Sequence, residues 1–174
     1  MSAKRCLLVL AVMGLTFLFT PTAYPTTKLE IESLRGLTGV GVIVEDLPNG
    51  IKRELPFDEN EIRMDVELKL RMAGIKVFSG KEYLKTPGAP FLYVVLNIGQ
   101  MSNMPIFYFN IGIYVRQAVY LKRNPNIQML GATWETSVIG AIWKDLASQI
   151  RDNIKDLLDE FINDYLSVNP KGGK

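Results

Sequence analysis

From Leu92 onward the apolar residues fall on every second position. Leu92, Val94, Leu96 and Ile98 form one such set, and after a Gly99 to Pro105 connection Phe107, Phe109, Ile111, Ile113, Val115, Val119 and Leu121 form another. Side chains of an extended chain alternate between two faces, so each set lies on one side of a strand. Two antiparallel strands with a shared apolar face follow, and that face needs a cover from elsewhere in the chain. Asn124-Pro125-Asn126 then turns the chain into a third strand, Gln128 to Val138, whose apolar set is Leu130, Ala132, Trp134 and Val138. A slip of one residue would send every side chain to the wrong face. Placing 121 opposite 127 sets Ile113 against Glu135 and turns Trp134 outward. Placing 121 opposite 128 pairs Val115 with Trp134 and Ile111 with Val138, sets Tyr114 opposite Glu135 and Arg116 opposite Thr133, and leaves a loop of about six residues. The 106–121 strand is long for such a domain, which predicts a bend near Gly112 or a hairpin projecting beyond the body.

Two helices are predicted as the cover. Asp58 and Glu61 have capping-box spacing, Phe57 can staple Ile62, and Ile62, Val66, Leu70 and Ala73 share a stripe that Gly74 ends. Farther on, Ile142, Leu146, Ile150, Ile154, Leu157, Phe161 and Tyr165 recur at steps of three and four, which predicts one helix over 141–168. Val40 to Val44 and Ile75 to Phe78 read as strands on either side of the first helix, a β-α-β unit with parallel strands. Ser79 and Glu82 open a short helical turn that Pro87-Gly88-Ala89-Pro90 closes. The fold class is α/β (α+β): a mixed sheet of about five strands in the order β-α-β-β-β-β-α with one short extra helical turn, and both helices on one sheet face.

Lys4 and Arg5 precede an apolar run from Cys6 to Phe19, and Thr20-Pro21-Thr22-Ala23 supplies small residues near a cut. This is the pattern of a secretory signal peptide over 1–23. Tyr24 to Glu32 is polar and Pro/Thr-rich, so 24–37 reads as a tether and lead-in, 38–168 as a single domain and 169–174 as a tail. Removing Lys4 and Arg5 from the 20 basic residues leaves 18 against 18 acidic ones. A neutral chain lacks the field that drives phosphate-backbone binding, so no nucleic-acid partner is expected. The sole cysteine is Cys6 and histidine is absent. A chain cut after the signal therefore has no thiolate nucleophile, histidine base or Cys/His metal set, and neither catalysis, a metal nor a cofactor is expected. The location expected is secreted or periplasmic, with membrane contact only through the signal.

Gly36-Leu37-Thr38-Gly39-Val40-Gly41 precedes a strand instead of following one, so it is a turn and not a phosphate loop. Asp145, Asp152, Asp156 and Asp159 are interleaved with Lys144, Arg151 and Lys155 and read as a solvated helix face. Glu45 and Asp46, at the end of the first strand, are the acids best placed for a ligand or metal. The second sheet face is the more informative surface, with Tyr93, Asn97, Tyr108, Asn110, Gly112, Tyr114, Arg116, Ala118, Tyr120, Gly131, Thr133 and Glu135 on it by parity. Aromatic residues and arginine set among small residues make a protein interface, and Tyr108, Tyr114, Arg116, Tyr120 and Glu135 are its candidate contacts. The plainer alternative is a wet face on which Tyr and Thr are good strand formers.

The order β-α-β, three meandering strands and a closing helix, over about residues 38–168, resembles the N-terminal domain of the periplasmic β-propeller protein of the Tol-Pal system and the related domain of the curli secretion lipoprotein. Leu34-Arg35-Gly36-Leu37, Val44-Glu45-Asp46-Leu47 and Asp159-Glu160-Phe161-Ile162-Asn163-Asp164-Tyr165-Leu166 are similar to an uncharacterised family of small secreted bacterial proteins. These resemblances imply an envelope location and bring no catalytic residue. The function expected is a non-enzymatic interaction or accessory module whose partner is a cell-envelope protein or a second copy of the chain. The alternatives are a small-ligand or lipid-binding periplasmic protein and, behind it, a carboxylate-dependent hydrolase.

Overall fold

The computed structural model describes residues 26–170. The expected signal peptide lies outside the described residues. In chain order the elements are α1 (Lys28–Ser33), β1 (Gly41–Val44), the one-turn α2 (Asn49–Lys52), α3 (Glu59–Met72), a 3₁₀ turn (Glu82–Lys85), β2 (Phe91–Gln100), β3 (Ile106–Leu121), β4 (Asn124–Trp143), a second 3₁₀ segment (Lys144–Gln149) and α4 (Ile150–Val168). The strands form one mixed sheet in the order β1-β2-β3-β4, with β1 parallel to β2 and the rest antiparallel.

The α/β class is as expected; four strands replace the expected five. Ile75 to Phe78 contributes a single parallel bridge, Val40 to Val77, held by Val40 N–H to the Lys76 carbonyl (3.0 Å) and Phe78 N–H to the Val40 carbonyl (2.9 Å). Ile75 and Phe78 turn into the core, so the segment plugs the end of α3 instead of extending a ladder. Within the stretch expected as tether and lead-in, the residues described, from 26 on, include a packed helix. Thr27 and Glu30 complete a capping box for α1, Leu34 behind it is fully buried, and Asn169 bonds both the Leu34 carbonyl (2.9 Å) and the Gly36 N–H (2.7 Å). Asn169 thus belongs to the domain and not to the tail.

On α3 the local code reads directly. Asp58 accepts from the N–H groups of Asn60 and Glu61, Glu61 returns to the Asp58 N–H, and Ile62, Val66 and Leu70 are buried. Gly74 ends it with φ +78, where a side chain would be strained. The long helix is shorter than its stripe. β4 runs on to Trp143, with Ile142 opposite Phe107, and the α-helical turns begin at Ile150. Ile142 satisfies the helical period and the strand period alike, and Leu146, expected in the core, is 40% exposed. Ile154, Leu157, Leu158, Phe161 and Ile162 of α4 share one core with α3 and with one face of the sheet. Among the described residues no helix is long and apolar enough to cross a membrane.

The sheet pairing follows parity down to one point. Val115 faces Trp134, Ile111 faces Val138 and Tyr114 faces Glu135. Thr133 is then an extra residue: Arg116 pairs with Ala132, not Thr133, so a bulge lies here and not near Gly112. The bulge switches the parity of β4 beyond it. Leu130 and Ala132, expected in the core, join Tyr120, Ala118 and Arg116 on the second face, while Gly131 moves to the first, beside Val119. The hairpin closes through Leu121 and Asn124, shorter than the loop of about six residues expected.

Among the described residues Glu59 is the charged side chain buried as a whole. Its carboxylate meets Lys52 at 2.5 Å and accepts the Leu47 N–H at 3.0 Å, and the Lys52 ammonium holds its carboxyl below the usual range although burial works the other way. A depressed folded pKa adds stability above the unfolded value, about 4.3, and that stability is lost as pH falls through the folded value. Glu59→Gln is expected to cost about 1 kcal/mol near neutral pH, with the difference from wild type vanishing in acid. Denaturant melts of both proteins across that window check it; a pH-independent difference would assign the loss to packing.

Candidate functional site

The second sheet face carries the candidate site. Both main helices pack on the opposite face, and at the β1 end Tyr83 of the first 3₁₀ turn leans over this one: a Cβ on Gly41 would meet its ring at 2.7 Å. Tyr83, Phe91 and Tyr93 continue as a ladder of tilted and edge contacts at 5.5 and 6.4 Å. The pairing registers align Ile43, Tyr93, Tyr114 and Glu135 in one row across all four strands.

Arg116, opposite Phe91 in the next row, lays its guanidinium 4.8 Å from the Tyr93 ring centre and 6.0 Å from that of Tyr114. The geometry is that of a cation held over aromatic faces. Tyr114 in turn reaches over Gly112, where a Cβ would meet its ring at 2.6 Å, so glycine there makes room for the tyrosine. Glu45 joins the same cluster. Its N–H bonds the Val94 carbonyl at 2.9 Å, which carries the β1 ladder one residue further and puts its side chain on the Tyr93 side. Burial, and after it the Glu45 carboxylate, raise the Tyr93 phenol above its ordinary pKa, with the Arg116 charge opposing. Glu45 Oε2 and Arg116 Nε are both buried without a hydrogen-bond partner among the described residues.

The structure therefore gathers Tyr114, Arg116 and Glu135 of the expected contacts, adds Tyr93 as their centre, and brings in Glu45. It separates the others. Tyr108 sits at the far end of β3, opposite Gly99 and Ala141 with its ring over Gly99; Tyr120 lies near the hairpin tip opposite Gln128. Twelve residues of strand divide the two, about 40 Å. They are 53% and 63% exposed, and Tyr108 lines a shallow hollow of about 360 Å³ with Pro48, Asn97, Asn110 and Ile139. The acidic pair also divides: the charge of Glu45 acts on Tyr93, whereas that of Asp46 acts on Lys52. Among the described residues no three His, Cys, Asp or Glu side chains converge as a metal site would require.

Sequence reasoning missed Ile139 and Trp143, which stand 71% and 54% exposed on β4. Their signal was the continued alternation of Trp134, Thr136, Val138 and Ile142, masked by the helical stripe that starts at the same place. No protein-family model and no curated protein matches this chain.

Proposed function

We propose that the protein is a non-enzymatic interaction module of the cell envelope that docks a protein partner on the second sheet face. The observation that carries this reading is Arg116 laid over Tyr93 and Tyr114 on a face opposite both main helices. An arginine already held by two rings has little rotamer entropy left to lose on docking, and arginine and tyrosine concentrate interface energy. The envelope location rests on the basic start and apolar run of residues 1–23 and on the resemblance of the element order to periplasmic domains.

Replacing Tyr114 and Arg116 together with alanine is expected to leave a cooperative melt and to weaken partner binding by more than about 1 kcal/mol. Capture from an envelope extract by wild type and by the folded double variant is the measurement. An unchanged partner set would return this face to plain solvated sheet.

The small-ligand alternative has one feature in its favour, a groove of about 870 Å³ lined by Glu54, Pro56, Pro105, Trp143 and the Lys144–Ser148 turn. It lies at the surface beside the Lys144–Glu54 ion pair, while the space between helices and sheet is filled by the core. Native mass spectrometry of protein from its own envelope separates the readings, since a retained small molecule favours the groove and a protein complex favours the sheet face.

A further inference from the structure

The two edges of the sheet are not alike. β1 is bridged at Val40 by the Val77 segment, whereas β4 has no strand beyond it among the described residues. An open edge strand is a row of unpaired donors and acceptors, and natural edges carry lysines, prolines or bulges against stray pairing. From Asn124 to Trp143 the only charge is Glu135, and the only proline is Pro125 at the hairpin tip. At the Thr133 bulge the edge is capped, because Ser33 Oγ of α1 donates to the Thr133 carbonyl at 2.9 Å. Beyond it the edge is open.

Which groups face outward follows from one bond. Lys144 N–H donates to the Pro105 carbonyl of the β3 side at 2.8 Å, and antiparallel ladders alternate, so even-numbered residues of this stretch turn their backbone groups to β3. The N–H and C=O of Glu135, Ser137, Ile139, Ala141 and Trp143 therefore point away from the sheet. The Trp143 carbonyl, at the N-cap of the 3₁₀ segment, opens that segment's own hydrogen bonds, and the remaining groups of these five have no backbone partner outside the β3 ladder among the described residues. The set is symmetric about Ile139.

We infer that β4 pairs antiparallel with β4 of a second copy of this chain, about a two-fold axis at Ile139. That register sets Ile139 opposite its own equivalent, Ser137 opposite Ala141 and Glu135 opposite Trp143, and satisfies about nine otherwise unpaired backbone groups from each copy. It is the one register that uses the whole open stretch. It sets no like charges against each other: the two Glu135 carboxylates stand eight positions apart, about 27 Å, well beyond the Debye length of about 8 Å. The Ile139 side chains of both copies then meet on the second face at the axis, which accounts for the unusual exposure of Ile139. This goes beyond the partner-docking reading, since the seam uses the backbone of β4 and leaves Tyr93, Tyr114 and Arg116, on β2 and β3, outside it on both copies.

The test uses the full chain with Cys6→Ser and one new cysteine. Directly opposed residues in hydrogen-bonded antiparallel pairs have Cα atoms about 5.5 Å apart, within disulfide reach. Sedimentation should show wild type at twice the chain mass, Ile139→Cys should cross-link into a covalent dimer on mild oxidation, and Leu130→Cys, exposed on the same strand but off the axis, should not. Ile139→Lys should shift the protein to monomer while its far-UV spectrum is kept. A monomeric wild type, or cross-linking at 130 as efficient as at 139, overturns the proposal. Because no partner protein enters the assay, its outcome is separate from that of the Arg116 test.

Discussion

Trp134→Ala is expected to cost about 3–5 kcal/mol, a large share of the about 5–15 kcal/mol by which native proteins are stable. Trp134 is fully buried, meets Phe161 of α4 edge-on at 5.2 Å, and donates its indole N–H to Asp164 at 2.9 Å. It is the side chain by which the outermost strand grips the closing helix; next to it Thr136 donates to Glu160 at 2.7 Å. Truncation leaves a cavity between β4 and α4 and takes the donor from Asp164. Equilibrium denaturation should show a lower midpoint with an unchanged slope. Trp134→Phe should recover part of the loss, and a cost for alanine near surface values would mean that α4 is held elsewhere.

Ile154→Asp is expected to unfold the domain, whereas Leu146→Asp should leave it folded with a loss of about 0.5 kcal/mol or less. Ile154 is buried against the sheet on the second turn of α4, so a carboxylate there has neither water nor a partner. Leu146 lies in the 3₁₀ segment at the lip of the surface groove, where a charge stays hydrated. A single helix over 141–168 would make both positions core and both changes severe. Thermal melts followed by circular dichroism distinguish the two structures.

Much of the candidate site was legible from parity. The pairing of Tyr114 with Glu135 and the outward direction of Arg116 required only that Trp134 be inside, since one buried landmark orients every side chain of a strand up to the next irregularity. The arrival of Glu45 beside Tyr93 was not legible. It depends on β1 lying next to β2, a neighbour relation between segments about fifty residues apart that alternation within either strand cannot express.

By itself the sequence determined where α3 begins and ends, because Asp58, Glu61 and Gly74 act through hydrogen bonds and backbone angles within a few residues. It determined the two meander strands and the register at Val115–Trp134 for the same local reason, the strict two-residue alternation. Only the tertiary structure decided the rest. Residues 141–149 carry an apolar pattern compatible with both periods, and the ladder with β3 kept Ala141 to Trp143 extended, since pairing there buries Ile142 against Phe107. Ile75 to Phe78 has strand composition but buries its ends in the core instead of building a ladder. The bulge at Thr133, with Ser33 bonded to its carbonyl, reversed Leu130 and Ala132, because one extra residue inverts every position beyond it.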